Sequence, residues 1–288
     1  MPSLLTSNGR ALFTGTPKSF NHLHKAFELG QNPGADFDDW ASWQFTTASA
    51  PHITASFLAR MKAQMDTRAY RQEFEASFET IAGRAYYAFS RLANVAPVEL
   101  QTLAPVCVSF DFNINPATAV IGQRQGDRAV VYREVKIRHA GGEATRATAR
   151  RVKDILAEAG HDGPMRIYGD ATGKSAKTTG PADHAVLRDV FPHALWCIPH
   201  GNPHEKDRVA AVNGVCETMT GAHRLIVDPV NVGVIADLEQ VIYAENGELD
   251  KKSNPELTHL SDALGYWLVR DFPPVSLTRA GGMSVDWL

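Results

Sequence analysis

The sequence predicts an α/β protein, a mixed sheet flanked by helices. Three strand-like runs follow one another between residues 106 and 137, and helical and strand-like segments alternate after them. With 44% hydrophobic and 21% charged residues over 288 positions, the chain has the balance of a globular protein with a real core. Its length sets an expectation of one or two domains.

Taken in order, residues 11–17 (Ala-Leu-Phe-Thr-Gly-Thr-Pro) read as a short buried strand stopped by a proline turn. A stretch rich in Asp, Trp and Gly follows at 33–43. Ile53, Phe57, Leu58 and Met61 share one helical face, and residues 70–78 continue as helix. From about residue 103 the pattern changes. Strands are expected at 106–112, 118–123 and 129–137, with a turn at Gln-Gly-Asp 125–127. After Gly141 and Gly142 comes a helix with Val152, Ile155, Leu156 and Ala159 at helical spacing. A strand at 165–168, a helix at 182–190 and a strand at 194–198 follow. Asn202-Pro203 opens a helix whose inner face carries Val209, Val212, Cys216 and Met219. The last helix starts at Asn254-Pro255-Glu256 and runs to about Arg270.

The net charge of −3 conceals an uneven distribution. Residues 124–153 hold nine Lys and Arg against three Asp and Glu, and residues 237–262 hold seven acids against two lysines. A basic segment beside an acidic one suits an enzyme that holds phosphates on one wall and cations on another, and equally suits two solvated faces. The three cysteines, Cys107, Cys197 and Cys216, lie far apart and form no C-x-x-C pair, so they support neither a disulfide framework nor a cysteine zinc site. A reducing compartment is expected. No apolar run approaches the roughly 20 residues that span a bilayer, and the first ten residues lack the apolar core of a secretory signal.

Three aspartates sit where the expected elements end or where a charge is unexpected. Asp111 lies in Ser-Phe-Asp-Phe-Asn 109–113, near the end of the first strand of the sheet. Asp170 ends a later strand in Ile-Tyr-Gly-Asp-Ala-Thr-Gly 167–173, and Asp262 lies in the last helix, in His-Leu-Ser-Asp-Ala-Leu-Gly-Tyr-Trp 259–267. Buried carboxylates are costly unless paired or bound to a cation. Converging ones suit Mg²⁺, which prefers oxygen ligands, and two such ions roughly 4 Å apart activate water and stabilise a leaving phosphodiester oxygen. Each residue also has a plain reading: Asp111 and Asp170 as turn or helix caps, Asp262 as a solvated helix position. His200 and His204 are spaced i,i+4, but Gly201 and Pro203 disfavour the helix a zinc pair needs. His259, one turn before Asp262, reads as a surface histidine or a neighbour of the site. Ser109 and Ser261 have no supporting triad spacing.

These motifs, in this order, resemble the nuclease domain of phage large terminase subunits: Phe-Asp-Phe-Asn on a strand, Gly-Asp-Ala-Thr-Gly after a later strand, and His-x-x-Asp-Ala-x-x-Tyr in the last helix. Residues 204–213 are similar to the helix before the closing helix there. Residues 13–18 (Phe-Thr-Gly-Thr-Pro-Lys), with 20–22 (Phe-Asn-His), look like the coupling motif that ends a terminase ATPase core, and residues 70–78 look like the stretch that closes that domain. Ser109 and Asn113 stand where the family has small glycines.

The resemblance implies a ribonuclease-H-like nuclease domain at 99–288, preceded at 1–98 by an incomplete, mostly helical remnant of an ATPase domain without Walker A or B motifs. The run Gly-Asp-Ala-Thr-Gly-Lys-Ser 169–175 is one residue short of the P-loop spacing, so ATP hydrolysis is not expected from this chain alone. It further implies a Mg²⁺- or Mn²⁺-dependent endonuclease using two ions held by Asp111, Asp170 and Asp262, which are also the catalytic residues. The expected substrate is concatemeric double-stranded viral DNA, in the host cell cytoplasm, with the capsid portal and the small terminase subunit as further partners and no membrane. Arg146, Arg150 and Arg151 at the start of one helix, and Lys174 beside Asp170, are the candidate phosphate contacts, or solvated charges. Two alternatives stand beside this reading: a non-catalytic remnant that binds DNA or portal, and another ribonuclease-H-like nuclease such as a resolvase.

Overall fold

The structure is a computed structural model that describes residues 9–17, 22–31, 39–78, 83–112, 115–138, 143–175, 181–244 and 246–274. Parts of the sequence motifs lie outside the described residues: Lys18 and Phe20 in the N-terminal motif, most of the Asp- and Gly-rich stretch, Asn113, and Gly141 with Gly142. The chain forms two compact units, one of residues 1–61, 67–81 and 276–288, the other of residues 62–66 and 82–275.

In the first unit the described elements are helical: α1 (His22–Gln31), α2 (Ala55–Gln64) and α3 (Thr67–Phe74), with a 3-10 turn at Thr47–Ser49. The Tyr70 and Phe74 rings stack 5.0 Å apart and Phe57 packs on Phe74 at 6.1 Å. Ser42 ties a connecting segment to α1, its hydroxyl donating to the Phe27 carbonyl and accepting from Gln31. The strand expected at 11–17 is absent. That segment is irregular, with Leu12 and Phe13 exposed, and no described strand pairs with it; an unpaired run has no ladder to satisfy its backbone.

The second unit is built on a six-stranded mixed sheet in the order β5-β4-β1-β2-β3-β6. Strands β1 (Val106–Asp111), β2 (Ala117–Gln125) and β3 (Arg128–Ile137) form an antiparallel meander. β2 turns into β3 through Gly126 at φ 66°, a left-handed conformation that glycine adopts without Cβ strain. Strand β4 (Met165–Gly169) runs parallel to β1, β5 (Leu195–Trp196) parallel to β4, and β6 (Leu225–Val227) parallel to β3. This meander, extended by parallel strands on the β1 side and covered by helices, is the ribonuclease-H-like arrangement.

Strand alternation divides the core in two. Val106, Val108, Phe110 and Ile167 face one way, with Val152, Ile155 and Leu156 of α5 (Ala144–Glu158) and Leu187 of α6 (Asp183–Val190). Cys107 and Tyr168 face the other way, with α7 (Glu205–Cys216), α8 (Val232–Gln240) and α9 (His259–Asp271). The short helix α4 (Arg91–Asn94) belongs with the second layer, where Asn94 donates to the Cys216 and Leu225 carbonyls.

Helix α9 is buried on nearly every side, from Leu260 to Leu268, because it packs against β1, β2, β4, α7 and α8 together. Glycines allow that approach. A Cβ on Gly122 would lie 2.6 Å from the Trp267 ring and one on Gly233 2.6 Å from Leu260, so both positions need hydrogen where others carry a side chain. The β2–β3 register also shifts beside Gly122, between Ile121 and Gly122. The helix begins at His259 rather than 254, because residues 254–258 form turns and Thr258 takes φ 78°. Thr258 gives no side-chain cap; instead the Asp237 carboxylate accepts the Ser261 amide at 2.9 Å, from α8. Burial pushes the Asp237 pKa up to about 6, against the Ser261 hydrogen bonds that lower it.

Candidate active site

Asp111, Asp170 and Asp262 come from three elements: the end of β1, the turn after β4 and the first turn of α9. Pleating sets Asp111 on the Cys107 face of β1, the face that meets α9. As whole residues Asp111 and Asp262 are each 7% exposed, and Asp170 is half-buried. Burial pushes up the pKa of the Tyr266 phenol, one turn beyond Asp262; Arg208 opposes, and the charges of Asp170, Asp262 and Asp111 add to the rise.

Each is held differently. Asp111 Oδ2 lies 3.2 Å from His259 Nδ1, while His259 Nε2 donates to the Pro255 carbonyl at 3.0 Å. A carbonyl only accepts, so Nε2 carries a proton, and the Asp111–His259 contact shares a second one. Burial raises the Asp111 pKa, moderated by the His259 hydrogen bond and reinforced by Asp262; the bond to Asp111 raises that of His259 against its own burial. Asp262 is clamped: Arg208 Nη2 reaches Oδ1 at 2.8 Å and Lys251 Nζ reaches Oδ2 at 2.7 Å. Burial works against the Arg208 charge, but Asp262 keeps its pKa raised, and its guanidinium lies 4.5 Å from the Tyr266 ring centroid. Asp170 caps the 3-10 turn Ala171–Lys174, its Oδ1 accepting from the Thr172 amide at 2.6 Å and from Asn202 Nδ2 at 2.7 Å. Asn202 in turn accepts the Ala171 amide at 2.7 Å, and His184 Nε2 contacts the Asp170 carbonyl at 3.0 Å.

The remaining predicted residues fall elsewhere. Lys174 donates to the His200 carbonyl at 2.9 Å, bracing the 198–204 loop against the Asp170 turn. Arg146, Arg150 and Arg151 lie on α5, in the helical layer opposite α9, so the fold does not gather them with the carboxylates. Arg146 pairs with Asp189 at 2.7 Å and Arg151 with Glu158 at 3.0 Å; Arg150 is exposed. Sequence reasoning missed Arg208, Lys251 and Asn202. Arg208 had a signal, since it shares the apolar α7 face with Val212; Asn202 was read as opening that helix, which instead begins at Glu205, and Lys251 sits in a loop and had none.

Carboxylate oxygens are the donors a hard divalent cation takes. Their present arrangement does not fit one: among the described residues no group of three or more His, Cys, Asp or Glu is placed to hold a metal ion. Both oxygens of Asp262 are already engaged by cationic side chains.

No family model and no curated protein matches the sequence. Solved structures do. A crystal form of the large terminase from a thermophilic bacteriophage superposes with TM-score 0.59 at 14% identity, covering 88% of this chain and 60% of that one. The complex of that terminase with ATP-gamma-S gives TM-score 0.57 at 14% identity, over 88% and 61%. The P22 large terminase nuclease domain aligns over 66% of this chain and 93% of its own at 17% identity, with TM-score 0.46. The chain thus spans about 60% of the length of the thermophilic phage protein and shares the fold of a phage large terminase over most of its own residues.

Proposed function

We propose that this chain is a DNA endonuclease of the genome-packaging terminase kind, cutting concatemeric double-stranded viral DNA. What supports the reading is that Asp111 ends β1, Asp170 follows the adjacent parallel strand β4 and Asp262 lies in the first turn of α9, which packs on both strands, within a fold shared with a large terminase. In this reading Asp111, Asp170 and Asp262 would be the ligands of Mg²⁺ or Mn²⁺. Such cations, when bound, would supply a more acidic bound water and a counter-charge for the leaving oxygen. The chain's own residues prepare the site: Asn202 and Thr172 orient Asp170, Arg208 fixes Asp262, and His259 holds a proton at Asp111. Residues 1–98 belong to the same proposal as the end of a motor domain, with the portal and small subunit as partners and the host cytoplasm as the setting. No helix among the described residues is long and apolar enough to cross a membrane.

A second reading has an observation in its favour. Asp262 is fully engaged and no metal group is formed among the described residues, as in a terminase-derived module that binds DNA or portal without cutting. Incubation with linear duplex and with a four-way junction, in Mn²⁺, Mg²⁺ and EDTA, separates the readings. Metal-dependent cutting of the duplex supports the terminase nuclease, preference for the junction indicates a resolvase, and no cutting by folded protein supports the binding module.

A further inference from the structure

Resting on the reading of this chain as a protein that acts on duplex DNA, we propose that Arg188, laid over the Trp196 ring beside the Asp170 turn, is a backbone-phosphate contact that seats the duplex there. Arg188 is exposed on α6, and its guanidinium carbon lies 4.3 Å from the Trp196 ring centroid. Among the described residues no carboxylate or carbonyl engages that guanidinium. Nearby arginines are committed elsewhere, Arg146 to Asp189 at 2.7 Å and Arg151 to Glu158 at 3.0 Å. Contact with an aromatic face holds an arginine in place while leaving its N–H edge for an oxygen anion. Arg188 is thus oriented without being neutralised.

Packing ties this arginine to the candidate site. Trp196 lies on β5 opposite Ile167 of β4, three residues before Asp170. His184, one turn before Arg188 on the same face of α6, meets the Trp196 ring edge-on at 5.1 Å and the Phe112 ring at 5.4 Å. Its Nε2 donates to the Asp170 carbonyl at 3.0 Å. Glycine lets the turn lie this close: a Cβ on Gly173 would stand 2.6 Å from Phe112 and 2.8 Å from His184. The stack of Phe112, His184, Trp196 and Arg188 therefore runs from the residue after Asp111, past the Asp170 turn, to solvent. From His184 to Arg188 the helix rises about 6 Å, about two nucleotide steps along one strand of a duplex. A strand with one phosphate beside Asp170 would bring a neighbouring phosphate within reach of Arg188, a contact that positions the duplex without reading its sequence.

The test is duplex binding by the full chain in EDTA, where nothing is cut, read by fluorescence anisotropy of a labelled linear duplex across a salt series. Wild type is compared with Arg188→Met, with Arg188→Lys, and with Lys153→Met as a control for general charge removal, Lys153 being exposed on α5. Arg188→Met should bind about tenfold more weakly, with the slope of log affinity against log salt smaller by about 0.9, the share of one phosphate. Arg188→Lys keeps the charge and loses the planar fork, so it should recover the slope and only part of the affinity; Lys153→Met should match wild type. Binding by Arg188→Met equal to wild type, or weakened no more than by Lys153→Met, overturns the contact and leaves a DNA-acting protein standing. Weaker binding by Arg188→Met with an unchanged salt slope also overturns it, because no phosphate contact has then been lost. No duplex binding by folded wild type even at low salt overturns the contact and that reading together.

Discussion

Removal of Arg208 tests the construction of the site most sharply. The Arg208 and Asp262 side chains are each 9% exposed and 2.8 Å apart, which makes the pair a buried salt bridge. Breaking such a pair from one side costs about 3–5 kcal/mol, because the remaining charge stays buried without its partner. Lys251 stays on the other Asp262 oxygen and partly compensates, so Arg208→Met is expected near the lower end, about 3 kcal/mol. Loss of the guanidinium over Tyr266 adds about 1 kcal/mol. Asp262→Asn in the same chain removes the stranded charge, so the double variant should be more stable than the sum of the single effects, with a coupling of about 2 kcal/mol. Urea unfolding in EDTA, followed by circular dichroism for all four proteins, measures the cycle. A cost below about 1 kcal/mol for Arg208→Met, or a coupling near zero, would refute the claim that this pair is a structural clamp.

Other consequences are open to measurement. Asp237 is raised from 3.8 to about 6 by burial, so the folded state binds its proton more tightly than the unfolded chain. Its stabilising share is complete below about pH 4 and lost as pH rises through about 6, up to roughly 3 kcal/mol. Asp237→Asn should therefore flatten the stability profile over that window and gain stability at about pH 8; an unchanged profile contradicts the burial argument. Asn202→Ala removes one bond to Asp170 and one to the Ala171 amide. Mn²⁺ affinity and cleavage should fall about 10- to 100-fold with little change in melting temperature, whereas full activity means Asp170 needs no external orientation. Gly122→Val would press a Cβ to within 2.4 Å of the Val130 carbonyl oxygen and 2.6 Å of the Trp267 ring. A loss of about 3 kcal/mol or more is expected in thermal unfolding, and a native melting temperature would show that α9 is less tightly docked.

The elements legible in the sequence are those whose pattern is local. The apolar run of β1, the Gln-Gly-Asp turn between β2 and β3, and the 3–4 spacing of α5 all appear where residue periodicity places them. Strand β6 has three residues and α8 carries apolar residues around most of its circumference, so neither gives a period to read. The shift in the start of α9 has the same origin: Asn254-Pro255-Glu256 looks like a cap, but Asp237 caps this helix from another element. At the site, Asp111 and Asp170 stand out because a charge ends an apolar strand. Their partners do not, since Arg208 reaches Asp262 across 54 residues and Asn202 reaches Asp170 across 32. Proximity made by the fold leaves no mark on either neighbourhood.

The most direct test of the central claim is cleavage of supercoiled plasmid by the purified chain in Mn²⁺, beside Asp111→Asn checked for native folding. Metal-dependent nicking or linearisation by wild type, abolished by EDTA and absent in the variant, is the predicted result. Cutting that persists in Asp111→Asn, or none by folded wild type in any metal, contradicts it.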